Sequence, residues 1–111
     1  TGVVMIRVIR PKANKFLSAE LRDDLNTRQN GAKKFKPHSD EIKDSWKAFL
    51  SSKWKRELTN NLDQVFHFKC AYCETIEAQD IEHFYPKSIY PKKMFVWSNL
   101  FRGCKNCNQF K

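Results

Sequence analysis

Four cysteines in two Cys-x-x-Cys pairs constrain this chain more than any other feature of its sequence. Cys70 and Cys73 form one pair, Cys104 and Cys107 the other, and thirty residues separate the pairs. Such pairs bring thiolates within reach of one tetrahedral ion, and Zn²⁺ accepts four sulfurs with no position left open. Two disulfides in a secreted protein are the alternative, but the chain shows no secretory signal and the spacing favours metal. We therefore expect a structural zinc ion that takes no part in catalysis.

Length and charge indicate a small basic domain. A chain of 111 residues with 41% hydrophobic residues has the length of one domain and enough apolar side chains for a modest core. Lysine and arginine total 21 against 12 acidic residues, a formal charge of +9, which four thiolates and Zn²⁺ would lower to about +7. No run of about 18 apolar residues occurs, which excludes a transmembrane helix. We expect a cytoplasmic protein.

Residues 1–69 are predicted to be mainly helical, after a short strand over residues 5–10. Ser18 is a good N-cap for a helix that runs to about Gln29 and is closed by Asn30-Gly31. Ser39 is a good N-cap for a second helical stretch, which is either one long helix kinked near residues 51–52 or two consecutive helices. Its apolar stripe favours core packing over base stacking, and it comprises Ile42, Trp46, Phe49, Leu50, Leu58, Leu62, Val65 and Phe66.

Residues 70–111 contain the residue types that phosphodiester hydrolysis needs. Ile81-Glu82-His83-Phe84 suits a strand ended by Tyr85-Pro86, and residues 95–97 are a second strand candidate or a loop entry. A histidine can deprotonate water near neutral pH, and carboxylate and amide oxygens suit a hard cation such as Mg²⁺. Neighbours on a strand point to opposite faces, so Glu82 and His83 can serve one site only if the strand bends or ends there.

The stretch from Cys70 to Lys111 resembles the HNH endonucleases, whose ββα-metal (His-Me finger) core is often held by a four-cysteine zinc site. The motif elements follow in order: Cys-x-x-Cys-Glu, Ile-Glu-His-Phe-x-Pro-Lys-Ser, Trp-x-Asn-Leu and Cys-x-x-Cys-Asn-x-x-Lys. The combination is similar to one bacterial branch, the PtuB-type HNH effectors of Septu and related retron anti-phage systems. The resemblance implies an α+β fold in which a helical part, residues 1–69, precedes a small zinc-stapled HNH core, residues 70–111.

The resemblance also implies a role for each motif residue. His83 matches the general base that activates water, and Glu82 matches the acidic metal ligand before it. Asn99 matches the central Asn that tethers the loop between the strands, and Asn108 completes a Mg²⁺ or Mn²⁺ site with its amide oxygen. Two departures stand out: many relatives have Asp in place of Glu82, and the motif's last helix should continue past Lys111. We therefore expect the core to be truncated at that helix.

Two functions from different classes account for these features. The favoured one is a metal-dependent endonuclease of low sequence specificity that cuts DNA in preference to RNA and serves as an anti-phage effector. The resemblance implies an ATPase of the PtuA type as its partner, with the N-terminal helices as the docking surface. The alternative is a non-catalytic zinc module that binds nucleic acid or a protein partner. It explains the cysteines and the charge equally well, but leaves the spacing of Glu82, His83 and Asn108 as coincidence.

Overall fold

The computed structural model describes residues 10–67, 69–71 and 80–104. They form an α+β fold in which helices pack against a small antiparallel sheet of two strands, as the sequence predicts. Most of the predicted strand over residues 5–10 lies outside the described residues, as do Cys73, Cys107, Asn108 and the predicted C-terminal helix. The elements are α1 (Ala13–Phe16), α2 (Ala19–Ala32), α3 (Asp40–Leu50), α4 (Trp54–Phe66), β1 (Asp80–His83) and β2 (Leu100–Gly103), with 3₁₀ turns at Pro91–Lys93 and Trp97–Asn99.

Helix α2 begins where its cap predicts and ends later than expected. The Ser18 hydroxyl accepts a hydrogen bond from the Leu21 backbone N–H at 3.1 Å and donates one to Glu57 of α4 at 2.5 Å. The prediction that Asn30-Gly31 closes the helix is wrong, because α2 continues to Ala32. Ala32 is fully buried, so the extra turn adds an apolar contact to the core.

Helices α3 and α4 confirm the two-helix alternative, with the break at residues 51–53. Ser39 precedes α3 but its side chain makes no capping hydrogen bond, although Asp40 and Glu41 do lie in the first turn, where the helix dipole favours negative charge. The predicted stripe is core: apart from Leu50, which is half-buried, all of its residues are buried. The same apolar cluster includes Met94, Phe95, Trp97 and Leu100, so both halves of the chain share one core.

The second strand follows residues 95–97, which the sequence offered either as a strand candidate or as a loop entry. Those residues form a loop and the start of a 3₁₀ turn, as the loop alternative predicted, and β2 begins at Leu100. Strand β2 pairs antiparallel with β1, with Asp80 opposite Gly103 and His83 opposite Leu100. Helix α4 holds this hairpin through a buried ion pair, since Arg102 Nε lies 2.8 Å from Asp63 Oδ1.

Arg10 fastens the start of β2 to the rest of the fold. Its guanidinium donates hydrogen bonds to the carbonyls of Trp97 and Leu100, both at 2.6 Å. It also lies over the rings of Trp97 and Phe101, 4.8 and 4.6 Å from their centroids. Burial lowers the pKa of Arg10 from 12.5 to about 10, so the side chain stays charged at neutral pH. Within the described residues, no helix is long and apolar enough to cross a membrane.

Candidate functional site

A cleft of about 620 Å³ opens between the helical layer and the hairpin. Glu82 and His83 both line it, although they are consecutive on β1. The strand ends at His83, which is one of the two conditions under which the neighbours could serve one site. The cleft is lined by Trp46, Leu50, Lys55, Thr59, Asp80, Ile81, Glu82, His83, Pro86, Lys87, Ser88 and Arg102.

The His83 imidazole is held in a fixed orientation. Its Nε2 lies 2.9 Å from the carbonyl oxygen of Met94, and its ring makes a T-shaped contact with the Trp46 ring at 4.4 Å between centroids. A carbonyl oxygen only accepts hydrogen bonds, so Nε2 carries the proton in the neutral ring. Nδ1 is then the nitrogen that can accept a proton. Only 5% of His83 is exposed, so packing fixes the ring as well.

Gln29 of α2 supports the carbonyl that orients His83. Its side-chain oxygen accepts a hydrogen bond from the Phe95 backbone N–H at 2.7 Å, and its Nε2 donates to the Pro91 carbonyl at 3.1 Å. These bonds fix both ends of the short segment that carries Met94. This role was not predicted from the sequence. The available signal was a polar residue continuing the buried stripe of Leu21 and Leu25 at a spacing of four.

Asn99 joins the two ends of the loop between the strands. Its Oδ1 accepts a hydrogen bond from the Tyr85 backbone N–H at 2.7 Å, and its Nδ2 donates to the Lys93 carbonyl at 3.0 Å. A backbone bond from the Phe84 N–H to the Asn99 carbonyl, 3.0 Å, closes the same loop. Asn99 is 3% exposed. Asn99 therefore ties Tyr85 to Lys93 within this loop. Its role as the central Asn of the motif stays a prediction.

The Glu82 side chain lies across Gly103 of the paired strand. Glu82 is 2% exposed, and a Cβ placed on Gly103 would lie 2.5 Å from Glu82 Cγ. That distance is too short for two carbon atoms, so only glycine leaves room for the glutamate in this position. Gly103 therefore determines where the Glu82 carboxylate can lie in the cleft.

We expect Gly103→Ala to lower the free energy of unfolding by about 1–3 kcal/mol, because the added methyl group must displace Glu82 or separate the strands. Gly31→Ala is the matched control, since nothing lies within 4 Å of a Cβ at that helical position. It should raise the free energy of unfolding by up to about 1 kcal/mol. Urea unfolding of both variants measures the difference, and equal stabilities would contradict the close contact.

The cleft combines cations with carboxylates. Lys55, Lys87 and Arg102 line it together with Asp80 and Glu82. Cations suit a phosphate ester, and carboxylates suit a divalent ion that binds beside one. Lys55 belongs to a basic stretch of the sequence that also contains Lys53 and Arg56. The structure places Lys55 at the cleft, whereas Lys53 lies over the Trp54 ring, 4.7 Å from its centroid.

Two of the four cysteines are described, and both are buried. Cys70 is fully buried and Cys104 is 6% exposed. A hydrogen bond from the Ala71 backbone N–H to the Arg102 carbonyl, 2.8 Å, brings the Cys70 segment alongside the end of β2, next to Cys104. One cysteine from each pair therefore comes from adjoining segments, which suits a shared ion. Among residues 10–67, 69–71 and 80–104, no three His, Cys, Asp or Glu side chains are grouped closely enough to hold a metal.

Two curated proteins with the same name are similar to this chain. "Septu protein PtuB" of Bacillus thuringiensis is 39% identical over 57 residues, which cover 47% of this chain and 20% of that protein. "Septu protein PtuB" of Bacillus mycoides (strain KBAB4) is 28% identical over 122 aligned positions, covering 95% of this chain and 40% of that protein. No family model and no solved structure matches the chain. The chain spans less than half the length of either relative. Its similarity to the Bacillus mycoides protein extends along nearly all of this chain, and its similarity to the Bacillus thuringiensis protein along about half.

Proposed function

We propose that this chain carries the catalytic core of an HNH-type endonuclease that hydrolyses phosphodiester bonds of DNA. The observation that carries the proposal is the fixed His83 ring, whose Nε2 meets the Met94 carbonyl at 2.9 Å in a cleft shared with Glu82 and Lys55. A general base needs one nitrogen held in place and the other able to accept a proton, and this hydrogen bond meets the first requirement. The cations support binding of a phosphodiester in the same cleft.

In the proposed reaction, Nδ1 of His83 takes a proton from a water molecule, and the resulting hydroxide attacks the phosphorus in line. The bond to the 3′ oxygen breaks, which leaves a 3′-hydroxyl on one product and a 5′-phosphate on the other. Mg²⁺ or Mn²⁺ would supply positive charge beside the phosphate and the departing oxygen. Glu82 would hold the ion, and its carboxylate in the cleft fits a hard cation. Asn108, the second proposed ligand, lies outside the described residues.

We further propose a structural zinc ion bound by Cys70, Cys73, Cys104 and Cys107. The burial of Cys70 and Cys104 on adjoining segments supports it, because thiolates of a closed zinc site are shielded from solvent. The zinc would join the chain before β1 to the chain after β2. It would thereby fix both ends of the hairpin that carries Glu82 and His83.

The similarity to Septu PtuB proteins supports a role as an anti-phage defence effector. An effector that cuts DNA freely would damage its own host, so we propose that activity requires assembly with an ATPase of the PtuA type. Such an effector would act in the cytoplasm, where invading DNA is found. The chain covers only part of its relatives, so the test must include the full-length protein and this partner.

A non-catalytic zinc module is the second candidate. The burial of Glu82 and His83, 2% and 5% exposed, favours it, because a buried His–carbonyl pair can serve the fold alone. The two candidates differ in whether His83 must be reached by water during turnover.

Cleavage of supercoiled plasmid tests the proposed function. We expect nicked circles with Mg²⁺ or Mn²⁺, and none with Ca²⁺ or without a divalent ion, because Ca²⁺ binds hard-oxygen sites with looser geometry. The assay is run with this chain, and with the full-length protein copurified with its ATPase. If plasmid binds but stays intact in all four ionic conditions for both preparations, the zinc-module alternative holds and the nuclease proposal is wrong.

A further inference from the structure

The large hydrophobic side chains that the described residues expose are gathered on one surface beside the cleft. Phe84, Tyr85 and Tyr90 are 47%, 41% and 43% exposed, and all the large exposed hydrophobic residues in the described ranges lie within residues 84–90. Soluble proteins rarely expose several large apolar side chains side by side, and such a cluster often marks a binding site. We call Phe84, Tyr85 and Tyr90 the aromatic ladder.

The aromatic ladder is a connected set of rings. Phe84 meets Tyr85 edge-on at 5.1 Å between centroids, and Tyr85 meets Tyr90 at 5.3 Å. The Tyr85 N–H donates to Asn99 Oδ1 and the Tyr85 carbonyl accepts from Asn99 Nδ2, and these two bonds hold the middle of the set in place. Exposed rings on a fixed backbone can take up a flat partner at little conformational cost, which is the property of a stacking surface.

Positive charge accompanies the rings. Lys93 Nζ lies 4.0 Å from the centroid of Tyr85, and Lys92 and Lys93 are exposed and line, with Phe84 and Tyr85, a hollow of about 400 Å³. From Phe84 to Lys111 the sequence contains no Asp or Glu. The cores of protein–protein interfaces are depleted of lysine, whereas single-stranded nucleic-acid sites combine aromatic rings with cations. The chemistry of this surface therefore favours a polynucleotide over a protein.

We propose that the aromatic ladder stacks the bases of an unpaired DNA strand and leads that strand to the cleft. The inference rests on the proposed function for the cleavage step, but the binding step stands by itself. Bases in a duplex are stacked on one another and offer no free face, so half-exposed rings can stack only on unpaired bases. The preferred substrate would then be DNA with a single-stranded stretch, such as a flap, a gap or a loop.

The position of the ladder allows one strand to reach both surfaces. Phe84 follows His83 directly in the chain, and Pro86, Lys87 and Ser88 line the cleft while Phe84 and Tyr85 line the hollow. The cleft and the hollow therefore lie on either side of the loop over residues 84–90, and this loop stands between them. A strand stacked on the ladder would cross this loop and place its next phosphates beside His83 and Lys55.

Binding without cleavage tests the proposal. The parent protein is the chain with His83→Ala, measured without divalent ions by fluorescence anisotropy against labelled (dT)₂₀ and a 20-base-pair duplex. We expect (dT)₂₀ to bind at least about tenfold more tightly than the duplex, and Tyr85→Leu or Tyr90→Leu each to weaken (dT)₂₀ binding about five- to tenfold. The same changes should alter duplex binding by less than about twofold, because that binding depends on the lysines.

Two control variants separate stacking from general apolar contact. Tyr85→Phe keeps the ring and should bind (dT)₂₀ as the parent does. Ile89→Ala removes an exposed apolar side chain of the same loop, 48% exposed, and should change the affinity by less than about twofold. Thermal unfolding of each variant checks that the fold is retained.

The proposal is overturned if the leucine variants bind (dT)₂₀ as tightly as the parent, which would assign the exposed rings to a protein contact. It is also overturned if (U)₂₀ binds tenfold more tightly than (dT)₂₀, which would assign the surface to RNA. A fall in (dT)₂₀ affinity in the leucine variants, together with an inactive wild-type protein in the plasmid assay, would support the ladder while rejecting the nuclease.

Discussion

Replacing His83 with alanine should lower the rate of Mg²⁺-dependent plasmid nicking by roughly 10²- to 10⁴-fold, the range that a positioned general base contributes. The reason is the hydrogen bond of 2.9 Å between Nε2 and the Met94 carbonyl, which leaves Nδ1 as the proton acceptor. Plasmid binding should change little, because Lys55 and Lys87 remain in the cleft. The measurement is a time course of nicking at several enzyme concentrations, with plasmid binding determined in parallel.

A second variant separates lost chemistry from lost structure. His83 is buried against Trp46, so alanine leaves a cavity and costs stability. His83→Gln keeps most of the volume and retains an amide N–H that can donate to the Met94 carbonyl, but it has no group that takes a proton at neutral pH. We expect His83→Gln to be about as inactive as His83→Ala while unfolding nearer to the wild-type temperature. Near-normal nicking by His83→Gln would exclude His83 as the base.

His67→Asn is the matched control for histidine replacement. His67 is exposed and ends α4 in the left-handed backbone conformation, φ 55°, which asparagine tolerates. It does not line the cleft. Nicking by His67→Asn should equal that of the wild type. A parallel loss in both histidine variants would indicate a general effect on the protein and would leave His83 without a specific role.

The helices could be predicted from the sequence because their signals are local. The Ser18 cap and the repeats of Leu21 and Leu25 lie within one element, and the serines near residue 51 interrupt a stripe that otherwise keeps helical spacing. The second strand could not be located from the sequence, because residues 95–97 have the composition of a strand but their backbone groups make other hydrogen bonds. The Phe95 N–H donates to the Gln29 side-chain oxygen at 2.7 Å, and the Val96 N–H donates to the Lys93 carbonyl at 3.3 Å.

The site could be predicted only as far as its motif extends. Glu82, His83 and Asn99 follow from their spacing and their resemblance to a family, and the structure places Glu82 and His83 in one cleft with Asn99 on the adjoining loop. The support behind them depends on contacts across more than 60 residues, from Gln29 to Pro91 and Phe95. Trp46 was predicted as a core residue, and nothing in its helical spacing indicates that its ring contacts the His83 ring.

Removing zinc should unfold the hairpin and abolish nicking, the largest change in stability that we expect for this chain. Zinc in small four-ligand sites contributes about 10–16 kcal/mol of folding free energy, which is comparable to the whole stability of most domains, about 5–15 kcal/mol. The purified protein should contain about one zinc ion per chain. Cys70→Ser or Cys104→Ser should lose the ion and the cooperative unfolding transition, as read by metal analysis and circular dichroism.

Ala71→Ser distinguishes loss of a zinc ligand from the insertion of a hydroxyl group in a buried place. Ala71 is fully buried next to Cys70, and its backbone bond to the Arg102 carbonyl does not depend on the side chain. The added hydroxyl should cost about 1–3 kcal/mol and leave the zinc content unchanged. A wild-type protein that contains no zinc, or that keeps its unfolding temperature after the metal is chelated, would show that the cysteines serve the core as small buried side chains. The hairpin would then be held by other contacts, among them those of Arg10, Arg102 and Asn99.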